Sequence, residues 1–463
     1  MPDPGTLLRS RAYVRLLALA AVIGAPISAL AYGYLKVVQQ AQRGIFQHLP
    51  GTLGFGSVPA WWPLPWLALS GALTALAIAR LPGTGGHSPA DGFHPAGTVA
   101  PIDLPGILLA SLATLCLGAV LGPEAPLVLL GSGLGALATR LVARDAPDQA
   151  VAAIAAAGSF AAIGALMGSP LLAAFLLLEA AGLGGAMVGV VLLPGLLAAG
   201  IGSLVFVGLN SLTGFGELSL ALPDLPPIGH PTATWFLYAF GFGLLLPVAG
   251  VAIFAAAKAV RAHARRRMSL ALPLLGLLIG GLAVGFGQVT GRPATDVLFS
   301  GQTALPGLVG GASSWSVGAL CALLAAKGIA YALSLSGFRG GPIFPAMYLG
   351  AAAGILASRL PGLPLVPAVA MGIGAMSATM LGLPLTSALL ATVLLGADGT
   401  DVLPVVIVAV VVSHVATAHL TPRAEPAPAS PGAAHPPIGV MRAPRPPSSM
   451  GGCAPPASTI PPR

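Results

Sequence analysis

The chain is 463 residues long, 56% hydrophobic and only 7% charged, with a formal net charge of +8, and its mean hydropathy is +0.91. Such a composition excludes a soluble globular domain, which has no way to hide so much apolar surface, and describes a polytopic membrane protein. The positive charge needs no nucleic-acid partner: it gathers at Arg9, Arg11 and Arg15, at Arg80, at Arg140 and Arg144, over 261–267 and in the tail, the pattern of cytoplasmic flanks.

Residues 1–11 read as a short cytoplasmic N-terminus, and no small-residue cleavage site follows the first apolar run, so that run is expected to be a retained helix. Apolar segments near 12–38, 59–81, 103–121, 124–142, 150–181 and 184–208 make up a first transmembrane region, 12–209. A polar, Pro-rich loop over 210–231 separates it from a second region, 232–420, with segments near 232–260, 270–288, 315–335, 343–359, 365–396 and 402–420. The runs are rich in Leu and Ala, lack the alternation of barrel strands, and reach the roughly 20 residues that cross a hydrocarbon core, so the spans are expected to be helical. Residues 421–463 are dominated by Pro, Ala and Ser and read as a disordered tail with no regulatory domain. Cys116, Cys321 and Cys453 form an odd set that indicates neither a disulfide framework nor a metal site. No metal-ligand cluster or Ser/His/Asp set lies in the apolar runs, so neither a cofactor nor an enzymatic activity is expected.

The two regions are copies. Gly122 to Leu141 reads GPEAPLVLLGSGLGALATRL, and 219 positions later Gly341 to Leu360 reads GPIFPAMYLGAAAGILASRL, with 10 of 20 residues identical. A second echo, GSPLLAAFLLLE from Gly168 against GLPLTSALLATV from Gly382, has an offset of 214. Repeats of this length in so apolar a chain mark a transporter or channel built from two related halves, with the ion site where they meet. Each half carries two runs with Pro at or near the first turn, which start helices within the membrane. Such helices present unpaired N–H groups and about half a positive charge at their starts, and so attract anions.

Glu124 stands in the first copy where the second has Ile343. An ionised carboxylate near the membrane centre costs about 3 kcal/mol on insertion scales. At a helix start its side chain can take the seat an anion would use, and protonation releases it, which makes a gate; a simple N-terminal cap is the competing reading.

These residues resemble the CLC family of chloride channels and proton-coupled chloride transporters. GPEAP is similar to that family's G-(K/R)-E-G-P motif, with Glu124 at the gating glutamate, and GGPIFP from Gly340 to its G-x-F-x-P motif. The flanking runs MGSPLLAAFLLLE, LGLPLTSALLATVLL and LSLSGFRGG also resemble their family counterparts, over roughly residues 12–420. The resemblance implies an all-α fold of two inverted-topology repeats with broken and re-entrant helices. It further implies a homodimer with one anion pore per subunit, in contact with membrane lipids.

The resemblance also sets out the departures. GTGGHSP, Gly83 to Pro89, takes the place of the family's G-S-G-I-P loop, and the pore serine becomes Gly85 or Gly86 according to register. The inner anion contact then falls to backbone amides, Ser88 or His87. The family's proton-relay glutamate falls on Ala180; Glu179, one residue earlier, is left as a guide for water or protons or as a carboxylate snorkelling to solvent. No tyrosine follows the last helix. The family's pore phenylalanine aligns with Ile343, with Phe344 one place later, so Pro342, Ile343 and Phe344 are expected to contribute backbone and not side chains, and Gly122, Pro123, Ala125 and Gly341 complete the expected anion-binding set. Lys327 corresponds to a basic residue near the pore entrance in many relatives, or snorkels at the bilayer edge; Asp398 and Asp401 are expected in a solvated loop.

The expectation is therefore a chloride or small-anion channel of the inner (plasma) membrane, both termini cytoplasmic, with Glu124 as the gate. Proton-coupled chloride exchange is the alternative. A carrier for an organic anion ranks behind, because Arg339 is the one arginine near a motif.

Overall fold

A computed structural model of the chain describes residues 9–93, 97–182, 186–214, 230–264, 267–396 and 399–421. The segment 422–463, most of the 210–231 loop and Asp398 lie outside the described residues.

The principal helices are α1 (Arg11–Arg43), α2 (Pro63–Arg80), α3 (Leu104–Cys116), α4 (Glu124–Val142), α5 (Asp148–Met167), α6 (Pro170–Ala181) and α7 (Ala186–Thr213) in the first half. The second half has α8 (Ala233–Ala264), α9 (Met268–Thr290), α10 (Val317–Gly337), α11 (Ile343–Ala357), α12 (Leu365–Leu381), α13 (Pro384–Leu394) and α14 (Gly399–Leu420). Among the described residues there is no strand, only one isolated antiparallel bridge between Gly122 and Gly341. Nine helices among these residues are long and apolar enough to cross a membrane, whereas α6, α11, α12 and α13 fall short.

Local sequence explains the interruptions. The runs 150–181 and 365–396, expected as single apolar segments, each break into two helices at a left-handed glycine, Gly168 (φ 64°) and Gly382 (φ 68°). Pro170 and Pro384 then start α6 and α13 in the first turn, where a missing N–H costs nothing. Ser169 adds a cap, its Oγ accepting from the Leu172 N–H at 3.3 Å. The segment near 103–121 also ends early: α3 stops at Cys116, and Gly118 (φ 110°) turns the chain toward the glycine motif.

The packing is the same twice over. Within the first half α1 packs on α7 and α5, α4 on α5, and α5 on α7; within the second, α8 packs on α14 and α12, α11 on α12, and α12 on α14. Across the halves α2 packs on α9 and α6 on α13, each helix against its own counterpart. The repeat extends to single contacts. Gly131 of α4 meets the backbone of Gly158 in α5, and Gly350 of α11 meets that of Gly372 in α12, at the two offsets seen in the sequence. Small residues let membrane helices approach until backbones touch, and van der Waals packing then holds them where lipid gives no hydrophobic drive between helices. The core lies around α5, α11 and α12, in which nearly every residue is buried.

Gly350→Ala is expected to lower the thermal unfolding midpoint of the detergent-solubilised protein, since an added methyl meets the Gly372 carbonyl and overpacking costs about 1–3 kcal/mol. Gly281→Ala, with nothing within 4 Å of the added carbon, is expected to leave it unchanged or raised; equal midpoints for the two variants would refute the packing assignment.

Candidate functional site

The two glycine motifs meet at the centre of the fold. The Gly122 N–H donates to the Gly341 carbonyl at 2.8 Å, and the Gly341 N–H donates to the Gly122 carbonyl at 2.7 Å. Two residues after each glycine a helix begins, α4 at Glu124 and α11 at Ile343, with Pro123 and Pro342 at the cap positions. The bridge thus sets the positive ends of two helices side by side inside the molecule. Both glycines are required, because a side-chain carbon at either would land on the Glu124 carboxylate.

Glu124 is fully buried. Its Oε1 accepts a hydrogen bond from the Ile343 N–H, and its Oε2 has no partner. The carboxylate begins its own helix but caps the other repeat's helix. Tyr331, also fully buried, donates its Oη to the Pro342 carbonyl at 2.7 Å and fixes the peptide next to that amide. Sequence reasoning passed over Tyr331, which carries no motif beyond being a hydroxyl in an apolar run.

Four cavities lead to this point from two sides. The inner side is named here as the one lined by Arg261 of the basic cluster. On the outer side a vestibule of about 840 Å³, lined by Arg43, Arg292 and several glutamines, shares Gln39, Gln42, Phe299 and Thr303 with a throat of about 40 Å³ that reaches Pro123. On the inner side a vestibule of about 560 Å³ shares His87, Ser88, Ile107, Leu129 and Arg339 with a throat of about 30 Å³ that reaches Ala125 and Pro342. Glu124 lines none of the four cavities itself, but its chain neighbours Pro123 and Ala125 line the outer and the inner throat, each of which holds only one or a few water-sized occupants.

The loop replacing the family's serine motif opens on four successive positive-φ residues, Gly83 (73°), Thr84 (49°), Gly85 (70°) and Gly86 (91°). Gly85 is buried against the throat, Gly86 faces the vestibule, and His87 and Ser88 line both. The Ser88 Oγ is buried with no partner. Ile343 and Phe344 are buried and line none of the four cavities, so they bring amides and not side chains to the site.

Two expected functional charges are elsewhere. Glu179 lines none of these cavities. Its Oε1 accepts from the Leu385 N–H at 2.9 Å and its Oε2 from the Thr386 N–H at 2.7 Å and the Thr386 hydroxyl at 2.6 Å. It is half-buried and caps α13. Lys327 likewise does not stand at the entrance. It is fully buried, its Nζ donating to the carbonyls of Asp296, Val297, Leu298 and Phe299 at 3.0–3.3 Å and lying 4.4 Å from the Tyr348 ring centroid. It holds from below a loop whose Asp296 and Phe299 line the outer vestibule. Burial pushes the Asp296 carboxyl above its ordinary range, against the pull of Arg292 and Lys327. Arg292 is stacked on Trp315, 3.5 Å from the ring centroid. Asp401 is exposed.

A family model described as "Voltage gated chloride channel" matches residues 91–418. Two proteins named "Putative ion-transport protein YfeO", from Salmonella schwarzengrund (strain CVM19633) and Salmonella typhimurium (strain LT2), are each 34% identical over 360 residues, covering 75% of this chain and 81% of theirs. Among solved structures, a slow cyanobacterial Cl−/H+ antiporter superposes with a TM-score of 0.73 at 20% identity, over 88% of this chain and 95% of that one. A CLC-type fluoride/proton antiporter gives 0.63 at 18% identity, over 87% and 95%. The chain belongs to the CLC family of voltage-gated chloride channels and related anion transporters, an integral membrane protein with that family's inverted-repeat fold.

Lys327→Met is expected to lower the unfolding midpoint markedly, since four carbonyls lose their shared donor and each unsatisfied buried acceptor costs about 1–3 kcal/mol. An unchanged midpoint in a thermal melt would show that the ammonium does not hold the 296–299 loop.

Proposed function

We propose that the protein conducts chloride or a similar small anion across the inner membrane, through one pore in each subunit of a homodimer, with Glu124 as the gate. The observation that carries this reading is the seat of the Glu124 carboxylate: on the first amides of α11, between two throats that open to opposite vestibules. Helix-start amides bind anions because their N–H groups have no helical acceptor and the peptide dipoles add there. A carboxylate on those amides therefore competes with a permeating anion for the same donors. Protonation cancels the carboxylate's charge, weakens its hold on the Ile343 N–H and vacates the seat. The amides of the 343–344 turn and of the first turn of α4 then serve the anion, the Gly122 and Gly341 amides being held in their mutual bridge, with Gly85, Gly86, His87 and Ser88 serving it on the inner side. Arg43 and Arg292 outside, and Arg261 and Arg339 inside, raise the local anion concentration at either mouth.

Passive conduction is preferred because no carboxylate lines the inner throat, and because Glu179 is engaged by three donors on α13 and so is not free to relay a proton. Exchange of the anion for a proton is the second reading. It is favoured by the complete burial of Glu124 between the throats and by the description of both structural relatives as antiporters.

Anion flux from vesicles carrying the purified protein, recorded together with pH, tests both. Wild-type flux is expected to rise as pH falls, because protonation empties the seat; Glu124→Gln is expected to give high flux that no longer responds to pH. Absence of proton movement decides for the channel, and uphill proton movement driven by a chloride gradient decides for exchange. Glu179→Gln is expected to leave the pH response as in wild type, and loss of that response would put Glu179 back on the path.

A further inference from the structure

The inner throat holds a cation that the sequence reading weighed only as a clamp for organic anions. Arg339 precedes the second glycine motif and is only 8% exposed, yet it lines both inner cavities. Its Nε and Nη2 donate to the Thr84 carbonyl at 3.2 and 3.1 Å, and its Nη1 donates to the carbonyls of Gly337 and Phe338 at 3.2 and 3.4 Å. Those bonds use four of a guanidinium's five N–H donors and leave one Nη2 hydrogen. They fix the group in place without neutralising it, because all the acceptors are uncharged carbonyls.

No carboxylate among the described residues lies within ion-pair distance of Arg339. Among the described residues the ion pairs are Arg140 with Asp148 and Arg261 with Asp91. Asp91 is turned to Arg261 at 2.7 Å, and Asp103 lines the inner vestibule with Arg339 without pairing to it. A buried charge is costly unless something of opposite sign faces it. Beside Arg339, on the wall of the same two cavities, the Ser88 Oγ is buried with no hydrogen-bond partner. An unneutralised cation and an unpartnered hydroxyl thus share a throat of about 30 Å³, next to Pro342 at the foot of the Glu124 seat.

We propose that the Arg339 guanidinium, with the Ser88 hydroxyl, directly holds a small inorganic anion in the inner throat. Arg339 is then a side-chain ligand and specificity determinant of the pathway, doing by formal charge what a neutral pore hydroxyl does by a hydrogen bond alone. This rests on the conduction reading above. The fixed charge favours a compact monoanion over a neutral solute of equal size, and keeps the inner throat occupied while Glu124 is seated. With a single donor left over, Arg339 does not form the bidentate fork that grips carboxylates and phosphates.

Sodium chloride titrated calorimetrically into the purified full-length protein in detergent tests the assignment, alongside flux measured over a range of chloride concentrations and melts in chloride-free buffer. Together with a lower chloride-free melt from the lost donors to three carbonyls, Arg339→Gln is expected to weaken chloride binding and raise the half-saturating concentration about tenfold or more. Arg339→Lys, which keeps the charge, is expected to recover most of that loss, and Ser88→Ala to weaken binding a few-fold. Wild-type affinity in Arg339→Gln overturns the proposal. So does an equal loss of chloride affinity in the Gln and Lys variants, which would make Arg339 only a staple of the 84 and 337–338 carbonyls. Should Arg339→Gln fail to fold, wild-type affinity in Ser88→Ala overturns it. A wild-type protein that neither binds nor moves chloride defeats the conduction reading itself, whereas one that conducts normally while Arg339→Gln is unaltered defeats this proposal alone.

Discussion

Everything at the centre of this molecule depends on two peptide groups. The reciprocal hydrogen bonds between Gly122 and Gly341 join the halves of the chain at equivalent points of the two repeats. Because the bridged strands run antiparallel, the helices that follow leave the bridge from a common point, and their unpaired amides are gathered around it. The sequence around each glycine serves that geometry. Glycine leaves room for a carboxylate against the bridge, and the proline that follows ends the extended stretch and starts the helix without an N–H to satisfy. A solvent-facing loop has water for its backbone groups. This one has none, and its pairing is what permits irregular backbone at membrane depth.

The two repeats share a fold but have divided the chemistry. The first supplies acids and the second supplies helix starts: Glu124 caps α11, and Glu179 caps α13. In the second repeat the equivalent positions are the apolar Ile343 and Val393. The two caps differ in how completely they are satisfied. Both oxygens of Glu179 are engaged, one by an amide and one by an amide and a hydroxyl. Glu124 has one oxygen engaged and one without a partner. A charge-assisted hydrogen bond is about twice as strong as a neutral one, so Glu179 is the more firmly held of the two. The same motif, a carboxylate on a foreign helix start, is fully satisfied in one place and half satisfied in the other, and the gate proposed for Glu124 rests on that difference.

The features legible in the sequence were those that act through local order. The repeat, the Pro-started half-helices and the isolated acid at Glu124 all follow from residue order along one segment, and each has its counterpart in the structure. The breaks within 150–181 and 365–396 were less visible because hydropathy is blind to one left-handed glycine; the prolines two residues on were the available sign. Partners of long-range charges were not legible at all. Glu179 finds its donors 206 and 207 positions away, and Lys327 finds carbonyls in a loop whose backbone conformation no side-chain pattern encodes. A helical wheel gives the direction of such a residue but not what stands opposite.

Lys327 and Arg339 show why the placement of charge is informative in a chain with so little of it. Each is a buried cation that meets backbone carbonyls and no carboxylate within ion-pair distance. An ammonium has three donors, and Lys327 directs them at four carbonyls of one loop, so nothing remains for a mobile partner. A guanidinium has five donors in a rigid fork, and Arg339 commits four and stands on the wall of a cavity. The difference between a structural cation and one that faces the path is thus a matter of donor count and of which side is open. Counting donors against acceptors separates the two roles where burial alone does not, since both side chains are removed from lipid and bulk water to almost the same degree.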